Sequence, residues 1–506
     1  MSSISRTYFS TFLGKPFITI IACVFFALLC SLAFIFNAVL LFVVGFLGFL
    51  FLLKNSTIKQ ALLFAILYPL VFFSVGLSFL FFIGENYPPS FAVAINVVNS
   101  LYVFWFIITF FLPVFFIIVL PKHPDFIWAM FVMPVAFTFH EWLKTFFLTG
   151  FPWFQISHLL VDFIDVEYSV FGELGVGFIC YSIIGVFFLL VKKDVICSLF
   201  GVAVISPFLL VNFFDIGNVS IEAEDKLSVK AFYSDTDIAE KSTFTMSVDN
   251  IDSMLKAARD VPLSDLVLFP EGTLKRIVSS YPAEIRKNIN EIKNKNVDFL
   301  MGGYFDNNYG EYNAVFKNDE YEPVYTKQHL IPFAEYFPKG FNFFERFFPD
   351  FYRANLVSDD FYAKEIGVFG HYIAPLICYE IFFSDQIRNR FSNFGAFIVF
   401  TDLAFVNSHW PKQYMFNVAR VRAMEFSKPL VQVANSSITA FVDHRGKVES
   451  SVYGEASYIQ QDVILNYDVS IYNRYGLLMV MILPLLNLLI IISYYCFLLI
   501  KRPATD

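Results

Sequence analysis

The feature that most constrains this chain is a series of long apolar runs without a charged side chain. A helix that crosses the hydrocarbon core of a bilayer needs about 20 apolar residues. Runs of about that length occur seven times before residue 216 and once near the C-terminus. In order, they cover residues 17–36, 38–53, 60–83, 91–120, 126–139, 174–191, 195–214 and 475–500. The pattern predicts a polytopic α-helical membrane bundle of about eight spans.

The composition excludes several other classes of protein. Hydrophobic residues make up 57 % of the 506 residues and charged residues only 16 %, whereas a typical soluble protein carries about 25 % charge. Such a chain is neither disordered nor a single soluble globule. The net charge of −8 provides no basic surface for phosphate backbones, so no nucleic-acid partner is expected.

Basic residues in the short connections predict the orientation, because cytoplasmic loops are enriched in Lys and Arg. With the N-terminus in the cytoplasm and eight spans, the cytoplasmic side holds Arg6, Lys15, Lys54, Lys59, Lys122, Lys192, Lys193, Lys501 and Arg502. The short outer loops then hold only Lys144. This asymmetry places the polar segment 216–470 outside the cytoplasm. Run 126–139 is the shortest, and if it were re-entrant the segment would be cytoplasmic and the asymmetry lost.

Segment 216–470 holds most of the charge and has the pattern of an α/β domain. Stretches rich in β-branched and aromatic residues predict strands at 227–233, 266–269, 297–304, 312–316, 372–378, 396–400 and 430–434. Helices are predicted between them at 243–259, 282–294 and 410–426. The chain therefore divides into a bundle over 1–215, an extracytoplasmic α/β domain over 216–470, and a last span with a short tail over 471–506.

Three predicted strand ends carry polar residues that the apolar pattern does not explain. Glu271 follows a buried-type strand and a proline, Lys327 follows Tyr325–Thr326, and Cys378 ends an apolar strand. Layered α/β folds gather their chemistry at strand ends. Cys378 is the only cysteine of the segment, so it is either buried packing or a reactive thiol. With one cysteine and scattered histidines, no metal site is expected.

These motifs resemble those of a known family. The stretches PEGT (270–273), YTKQHLIPFAEYFP (325–338) and LICYE (376–380) are similar to the Glu-Lys-Cys motifs of the nitrilase superfamily. Eight spans, with the domain between the seventh and the eighth, narrow the resemblance to the apolipoprotein N-acyltransferases. GFPW (150–153), shortly after Glu141–Trp142, also resembles the membrane part of that family. From the residues alone, GFPW is either an interfacial loop or the lining of an entrance at the membrane surface.

The resemblance implies a fold, a site and a reaction. The fold is a nitrilase-like α-β-β-α sandwich. The site has Glu271 as general base, Lys327 as oxyanion cation and Cys378 as nucleophile, with Glu335, Tyr379 and Glu380 in support. The reaction moves an acyl chain from a phospholipid, through a Cys thioester, to the N-terminal amine of a diacylglyceryl-modified apolipoprotein. It implies a multi-pass monomer in the bacterial inner membrane, with its catalytic domain on the periplasmic side, contact with membrane lipid and no cofactor.

Two stretches need separate comment. The family usually has Asn-Asp-x-Trp-Phe on the strand after the Cys motif, whereas this chain has Thr401-Asp402-Leu403-Ala404-Phe405, which puts the pocket lining in doubt.

Segment 337–353 is dense in phenylalanine. We interpret it as a lipid-facing lid over the acyl site, and the alternative is a buried packing segment. The lid residues are Phe341, Phe343, Phe344, Phe347 and Phe348.

Three other functions remain open from the sequence. A membrane-tethered amidase or nitrile hydrolase would use the same three residues but release its acid to water. A transporter with an extracytoplasmic binding domain would need ionisable residues within its spans, and the apolar runs are almost free of them. An inactive scaffold is compatible with the altered 401–405 stretch, but the intact Glu-Lys-Cys set argues against it.

Overall fold

The computed structural model describes residues 16–83, 89–119, 124–214, 225–235, 265–274, 297–318, 322–343, 356–359, 364–454 and 458–500, with the short pieces 251–252, 255–256, 287–289, 291 and 362. The predicted helices 243–259 and 282–294 lie mostly outside these residues, as do Phe344, Phe347 and Phe348 of the predicted lid.

Helices α1 to α7 follow the N-terminal apolar runs. Their bounds are α1 Pro16–Ile35, α2 Val39–Asn55, α3 Ile58–Gly76, α4 Pro89–Val119, α5 Met133–Phe146, α6 Val166–Val191 and α7 Val195–Phe213. Asp125–Ile127 and a π-helical turn at Trp128–Val132 lead directly into α5. The short run 126–139 is thus part of a longer helix. By length and composition, the described residues contain five helices able to cross a membrane, and the count of eight spans stays a prediction.

Small residues allow these apolar helices to pack closely. A Cβ added at Gly45 of α2 would lie 2.8 Å from Cys30 Sγ and 2.8 Å from the Phe26 carbonyl oxygen in α1. Inside a membrane there is no hydrophobic driving force between helices, so this kind of close backbone approach stabilises their association.

The bundle has one end rich in lysine and one end that carries the α/β domain. At the first end, Asp125 lies 3.4 Å from Lys54 Nζ at the close of α2 and 3.0 Å from Lys192 Nζ just after α6. Lys144 lies at the other end, but in the last turn of α5 rather than in a loop as expected. It is buried and pairs with Glu141 at 2.5 Å, so it does not act as a free outer charge.

The polar segment forms two six-stranded sheets. The strands are β1 Lys226–Phe232, β2 Leu266–Leu274, β3 Asp298–Asn307, β4 Gly310–Lys317, β5 Tyr325–Thr326, β6 Ile366–Val368, β7 His371–Ile377, β8 Ala396–Asp402, β9 Leu430–Asn435, β10 Thr439–Val442, β11 Val448–Val452 and β12 Tyr458–Ile464. Their orders are β12-β1-β2-β3-β4-β5 and β11-β10-β9-β8-β7-β6. Strands β1, β2 and β3 of the first sheet are parallel to one another, and so are β7, β8 and β9 of the second. Within each sheet, the C-terminal ends of these three strands therefore lie at the same edge.

Alternating side chains make the first sheet apolar on both faces. Leu266 and Leu268 of β2 join the core that includes the second sheet, whereas Val267 and Phe269 join a separate core on the outer face. This is the period of two expected for a strand buried on both sides. Ile251, Leu255 and Ile289, in the described helical pieces, pack into the outer core. The arrangement confirms the predicted nitrilase-like sandwich of two sheets.

Helices complete the domain and connect it to the bundle. They are α8 Ser384–Arg390, α9 His409–Phe426, α10 Ile471–Tyr475 and α11 Leu477–Ile500. Helix α9 packs between β9 of the second sheet and α6 of the bundle. Arg422 of α9 pairs with Glu425 on the same helix and with Glu173 of α6, all three fully or almost fully buried. The backbone N–H of Glu173 also donates to Glu425 Oε1 at 2.6 Å.

Glu173, just before the apolar run 174–191, is 3 % exposed and bonded to the α/β domain. Gly172, with φ +67°, breaks α6 just before it. A Cβ there would lie 2.2 Å from the Tyr472 ring, so only glycine allows this break. Breaking a buried ion pair costs several kcal/mol, so the domain is held firmly against the bundle.

Candidate active site

Glu271 lies in a bulge at the end of β2, where the pairing of β2 with β3 is interrupted between Phe269 and Leu274. Its Oε1 accepts a hydrogen bond from Asn313 Nδ2 at 2.7 Å, and its Oε2 accepts one from the backbone N–H of Asp402 at 2.9 Å. Burial raises its pKa to about 7, with Lys327 opposing the shift and Glu335 and Asp402 adding to it. A carboxylate with this pKa can take up and release a proton near neutral pH.

Gly302 and Gly303 of β3 make room for this bulge. A Cβ on Gly302 would lie 2.5 Å from Glu271 Cα, and one on Gly303 would lie 2.6 Å from Leu274 Cβ. Any side chain at Gly302 would push the backbone of Glu271 away. The two glycines thus allow β2 and β3 to approach each other closely.

Lys327 follows β5 and lies between two carboxylates. Its Nζ is 2.8 Å from Glu335 Oε1 and 3.9 Å from Glu271 Oε1. Burial alone would lower its pKa, but the charges of Glu335, Glu271 and Cys378 outweigh that effect and raise it. Lys327 is therefore a permanent cation at this site. Asn313 links the two carboxylates, because its Nδ2 also lies 3.3 Å from Glu335 Oε1.

Cys378 sits at the end of β7 with φ +51°, the left-handed region that non-glycine residues seldom adopt. Strained positions of this kind cluster at functional sites. Burial raises the pKa of its thiol, the charge of Glu271 raises it further, and the charge of Lys327 lowers it. The three predicted residues therefore act on one another electrostatically at the strand ends.

Glu380 fixes the backbone around both Cys378 and Lys327. Its Oε2 accepts from the N–H of Ile377 at 2.8 Å, just before the thiol. Its Oε1 accepts from the N–H groups of Gln328 at 2.8 Å and His329 at 3.3 Å, just after the lysine. Tyr325 and Arg390 donate to the same carboxylate. These contacts make Glu380 a positioning residue for the predicted site.

Tyr379 joins the site to the membrane bundle. Its hydroxyl donates to the carbonyl oxygen of Gly150 at 3.1 Å, and its ring lies 6.0 Å from that of Phe151. The backbone from Leu148 to Gly150 has three successive positive φ angles. Lys144 Nζ holds the following turn by donating to the carbonyls of Trp153 and Phe154. The GFPW loop therefore forms part of the aromatic surroundings of Cys378.

His329 lies beside the site as a neutral side chain. Its ring is 3.6 Å from that of Phe383, and Nδ1 is 3.1 Å from Gln386 Oε1. Burial lowers its pKa to about 4, so it is neutral near pH 7.

Phe341 and Phe343 are the lid residues that the structure describes. They are 37 % and 53 % exposed, and their ring centres are 6.3 Å apart. Phe341 also packs edge-on against Phe333 at 5.4 Å, within the turn that presents Glu335. Exposed aromatic rings so close to the site contrast with the alternative of a fully buried segment.

The sequence reasoning missed several contributors. Asn313 lies in the middle of β4, and no local pattern marks it as a partner of Glu271. Tyr102 of α4 donates to the carbonyl oxygen of Pro332 at 2.7 Å and so holds the turn before Glu335. Both contacts join residues far apart in the chain. Within the described ranges, no group of three or more His, Cys, Asp or Glu side chains could hold a metal ion.

Comparison with known proteins identifies two domains in the chain. Residues 26–186 match the N-terminal domain of apolipoprotein N-acyltransferases, and residues 239–464 match the carbon-nitrogen hydrolase domain. An apolipoprotein N-acyltransferase of Vibrio vulnificus is 25 % identical over 351 residues, or 63 % of this chain and 65 % of that protein. The chain therefore spans slightly less than two thirds of that relative. One of Haemophilus influenzae is 26 % identical over 446 residues, 80 % of this chain and 81 % of that protein.

A CN-hydrolase superfamily protein of Xanthomonas campestris aligns with 47 % of this chain and 91 % of its own, at 15 % identity and a TM-score of 0.34. A carbon-nitrogen hydrolase of Helicobacter pylori aligns with 47 % of this chain and 89 % of its own, at 12 % identity and a TM-score of 0.34.

The opposing charges around Cys378 predict opposite effects of two substitutions on its alkylation. Lys327→Met removes the charge that lowers the thiol pKa, so alkylation by iodoacetamide at a fixed mildly alkaline pH should slow about tenfold for each unit of pKa gained. Glu271→Gln removes a charge that raises the pKa, so alkylation should accelerate. Peptide mass spectrometry would follow Cys378 alone, and Lys447→Met, at an exposed turn, is the control. Changes in the same direction for both variants would contradict this electrostatic account.

Proposed function

We propose that this chain, whose residues 26–186 match the N-terminal domain of the apolipoprotein N-acyltransferases and whose residues 239–464 match the carbon-nitrogen hydrolase domain, is itself such an acyltransferase. It would transfer a fatty acyl chain from a phospholipid to the α-amine of the diacylglyceryl-modified N-terminal cysteine of an apolipoprotein. The observation that carries the proposal is that the buried thiol of Cys378, the buried ammonium of Lys327 and the Glu271 carboxylate, whose pKa is about 7, lie together where the α/β domain meets the membrane bundle.

In the first half-reaction, the Cys378 thiol gives its proton to the Glu271 carboxylate while sulfur attacks the ester carbonyl carbon of the donor. The carbonyl oxygen becomes an oxyanion, which the Lys327 ammonium and a backbone N–H next to Cys378 stabilise. Loss of one such donor typically costs about 10²–10³ in rate. The C–O bond then breaks, protonated Glu271 returns the proton to the leaving alkoxide, and a lysophospholipid departs.

In the second half-reaction, the acceptor amine attacks the thioester carbonyl and Glu271 takes its proton. The C–S bond breaks, an amide forms, and the proton returns to the sulfur of Cys378. Glu335 keeps Lys327 in place through its 2.8 Å contact, while Glu380 holds the two backbone segments. Glu335, Glu380 and Tyr379 are in this view positioning residues rather than reacting groups.

Water must be kept from the thioester, or the acyl chain would be lost as a free acid. Cys378 is 4 % exposed, and the neighbouring Tyr379, Phe382 and Phe383 are equally buried. Tyr379 connects this aromatic wall to the GFPW loop of the bundle. These surroundings favour an acyltransferase over the alternative of a tethered amidase, because an amidase must admit water to its acyl-enzyme.

We also propose the topology that the basic residues predict. The end of the bundle with Lys54 and Lys192 would face the cytoplasm, and the opposite end would carry the domain over 216–470 on the periplasmic side of the inner membrane. The chain would work as a monomer, and residues 471–506 would form its last span and a short cytoplasmic tail.

An acyl adduct on Cys378 is the first expected result. The purified protein in detergent, incubated with a phospholipid labelled in its acyl chain, should acquire a hydroxylamine-labile label that is absent in Cys378→Ala. Addition of a diacylated lipopeptide with a free N-terminal amine should discharge the label into an amide. Release of labelled fatty acid at the same rate with and without the lipopeptide would support a hydrolase and contradict the acyltransferase.

The pH dependence should reflect the Glu271 carboxyl. Because the general base must be deprotonated, the rate of adduct formation should rise with pH through about 7, the pKa of this group. Asn313→Leu removes a hydrogen bond that lowers this pKa, so the rising limb should move to higher pH. Stopped-time adduct assays across pH would measure the shift. Asn393→Leu, at an exposed turn, should leave the limb in place, and an unmoved limb in Asn313→Leu would exclude Glu271 as its source.

We further propose that Phe341 and Phe343 contact lipid at the mouth of the site. The double change Phe341→Ser, Phe343→Ser should slow acylation by micellar phospholipid severalfold but leave acylation by a short soluble thioester unchanged, because only the lipid needs an apolar path. The matched control is Phe369→Ser, since Phe369 is also exposed, at 41 %, but lies in the turn between β6 and β7. Equal loss with both donors would argue against a lipid-contacting role.

A further inference from the structure

Lys144, in the last turn of α5, binds the GFPW loop and the residue after it at three points. It is fully buried. Its backbone carbonyl accepts a hydrogen bond from the N–H of Phe151 at 2.8 Å. Its Nζ donates to the carbonyl oxygens of Trp153 at 3.0 Å and Phe154 at 3.1 Å. Buried carbonyls outside regular secondary structure need such donors, and a charged donor makes the stronger bond.

Two further residues of the bundle hold the Lys144 ammonium in place. Glu141, one turn earlier on α5, lies 2.5 Å from Nζ through Oε2. The other oxygen of this carboxylate, Oε1, accepts from the hydroxyl of Tyr181 on α6 at 2.7 Å. Glu141 is 3 % exposed and Tyr181 2 %. Ionisable groups buried among apolar membrane helices are costly and mark function, and this pair directs its cation at the loop.

The rings of the same loop pack on the turn that begins with the predicted nucleophile. That turn covers Cys378–Phe382. The Trp153 ring is stacked on the Phe382 ring at 5.4 Å, and the Phe151 ring lies 6.0 Å from the Tyr379 ring. A loop that lost its bonds to Lys144 would therefore loosen the aromatic wall on this side of the turn.

The loop is held from the α/β domain as well. The N–H of Phe154 donates to the hydroxyl of Tyr414 on α9 at 2.7 Å, while its carbonyl accepts from Lys144. The Tyr414 ring also lies 5.1 Å from the Trp153 ring. The peptide groups on the two sides of Phe154 are thus bound by different parts of the protein. Loss of the Lys144 bonds would free the side that faces the bundle.

We propose that Lys144 and Glu141 are positioning residues that keep water from the acyl-enzyme. The inference rests on the proposed acyl transfer and assigns the water exclusion it needs to a polar pair inside the bundle. Water that reached the thioester would add its oxygen to the carbonyl carbon. The C–S bond would then break, a proton of that water would return to the sulfur of Cys378, and a free fatty acid would leave. The amine of the acceptor would yield an amide from the same intermediate.

The test measures the ratio of free acid to amide formed from acylated Cys378 in the full-length protein, at one concentration of diacylated lipopeptide. Both products come from the same adduct, so the ratio does not depend on how much of the protein is active. The double change Glu141→Gln, Lys144→Met removes both charges and leaves no buried charge unpaired. The ratio should rise about tenfold or more, because the loop carbonyls lose a charged donor.

Asn487→Leu is the matched control for loss of a buried hydrogen bond in the bundle. Asn487 of α11 is 2 % exposed and donates to the carbonyl oxygen of Met130 at 2.7 Å, in the π-helical turn that leads into α5. Its loss leaves the loop and its contacts intact, so the ratio should stay the same. A rise as large as in the double variant would assign the effect to general loosening of the bundle and overturn the proposal.

Tyr181→Phe tests the same pair with the smallest change in packing, because it removes only the hydroxyl that holds Glu141. The ratio should rise severalfold. An unchanged ratio in the double variant, or in Tyr181→Phe where the double variant forms no adduct, would overturn the role of the pair and leave acyl transfer standing. If the unchanged protein forms no adduct, or releases acid equally fast with and without lipopeptide, the proposed acyl transfer itself fails.

Discussion

The geometry of the site depends on the hydrogen bonds that the carboxylate of Glu380 accepts. It accepts hydrogen bonds from the backbone on both sides of the gap, at Ile377 before the thiol and at Gln328 after the lysine. Two loops that lie 52 residues apart in the chain are thereby fixed to one another. Hydrogen bonds to an ionised group are stronger than neutral ones, and Glu380 is 2 % exposed, so solvent does not compete. Glu380 therefore holds the backbone beside Cys378 against the backbone beside Lys327.

The site also depends on how the domain is attached to the bundle. Tyr379 reaches Gly150, Tyr102 reaches Pro332, and Arg422 joins α9 to Glu173. Each contact links a bundle residue to the α/β domain, and the contact of Tyr379 places the ring of Phe151 next to the residue that follows Cys378. A soluble relative of the same sandwich would have to close this side in another way. The membrane part thus contributes walls to the site as well as anchorage.

The sequence predicted the parts of the fold that depend on local pattern. Seven strands, helix α9 and the positions of Glu271 and Cys378 at strand ends follow from apolar periodicity, whereas Lys327 is recognised by its motif. Strand β5 has only two residues, and β11 has alternating exposure with polar side chains, so neither gives a clear apolar pattern. The pair Arg422–Glu173 joins residues 249 apart. Contacts of that kind depend on tertiary packing, which no local window contains.

The burial of Cys378 has a consequence for the lifetime of the protein. A thiol with a raised pKa is almost entirely undissociated at neutral pH, and the undissociated form is a poor reductant and a poor partner in disulfide exchange. On the periplasmic side, where we propose that the domain lies, an isolated thiolate would react with oxidants and with the disulfides of disulfide-forming enzymes. The burial that raises the pKa of Cys378 therefore also protects its sulfur from oxidation.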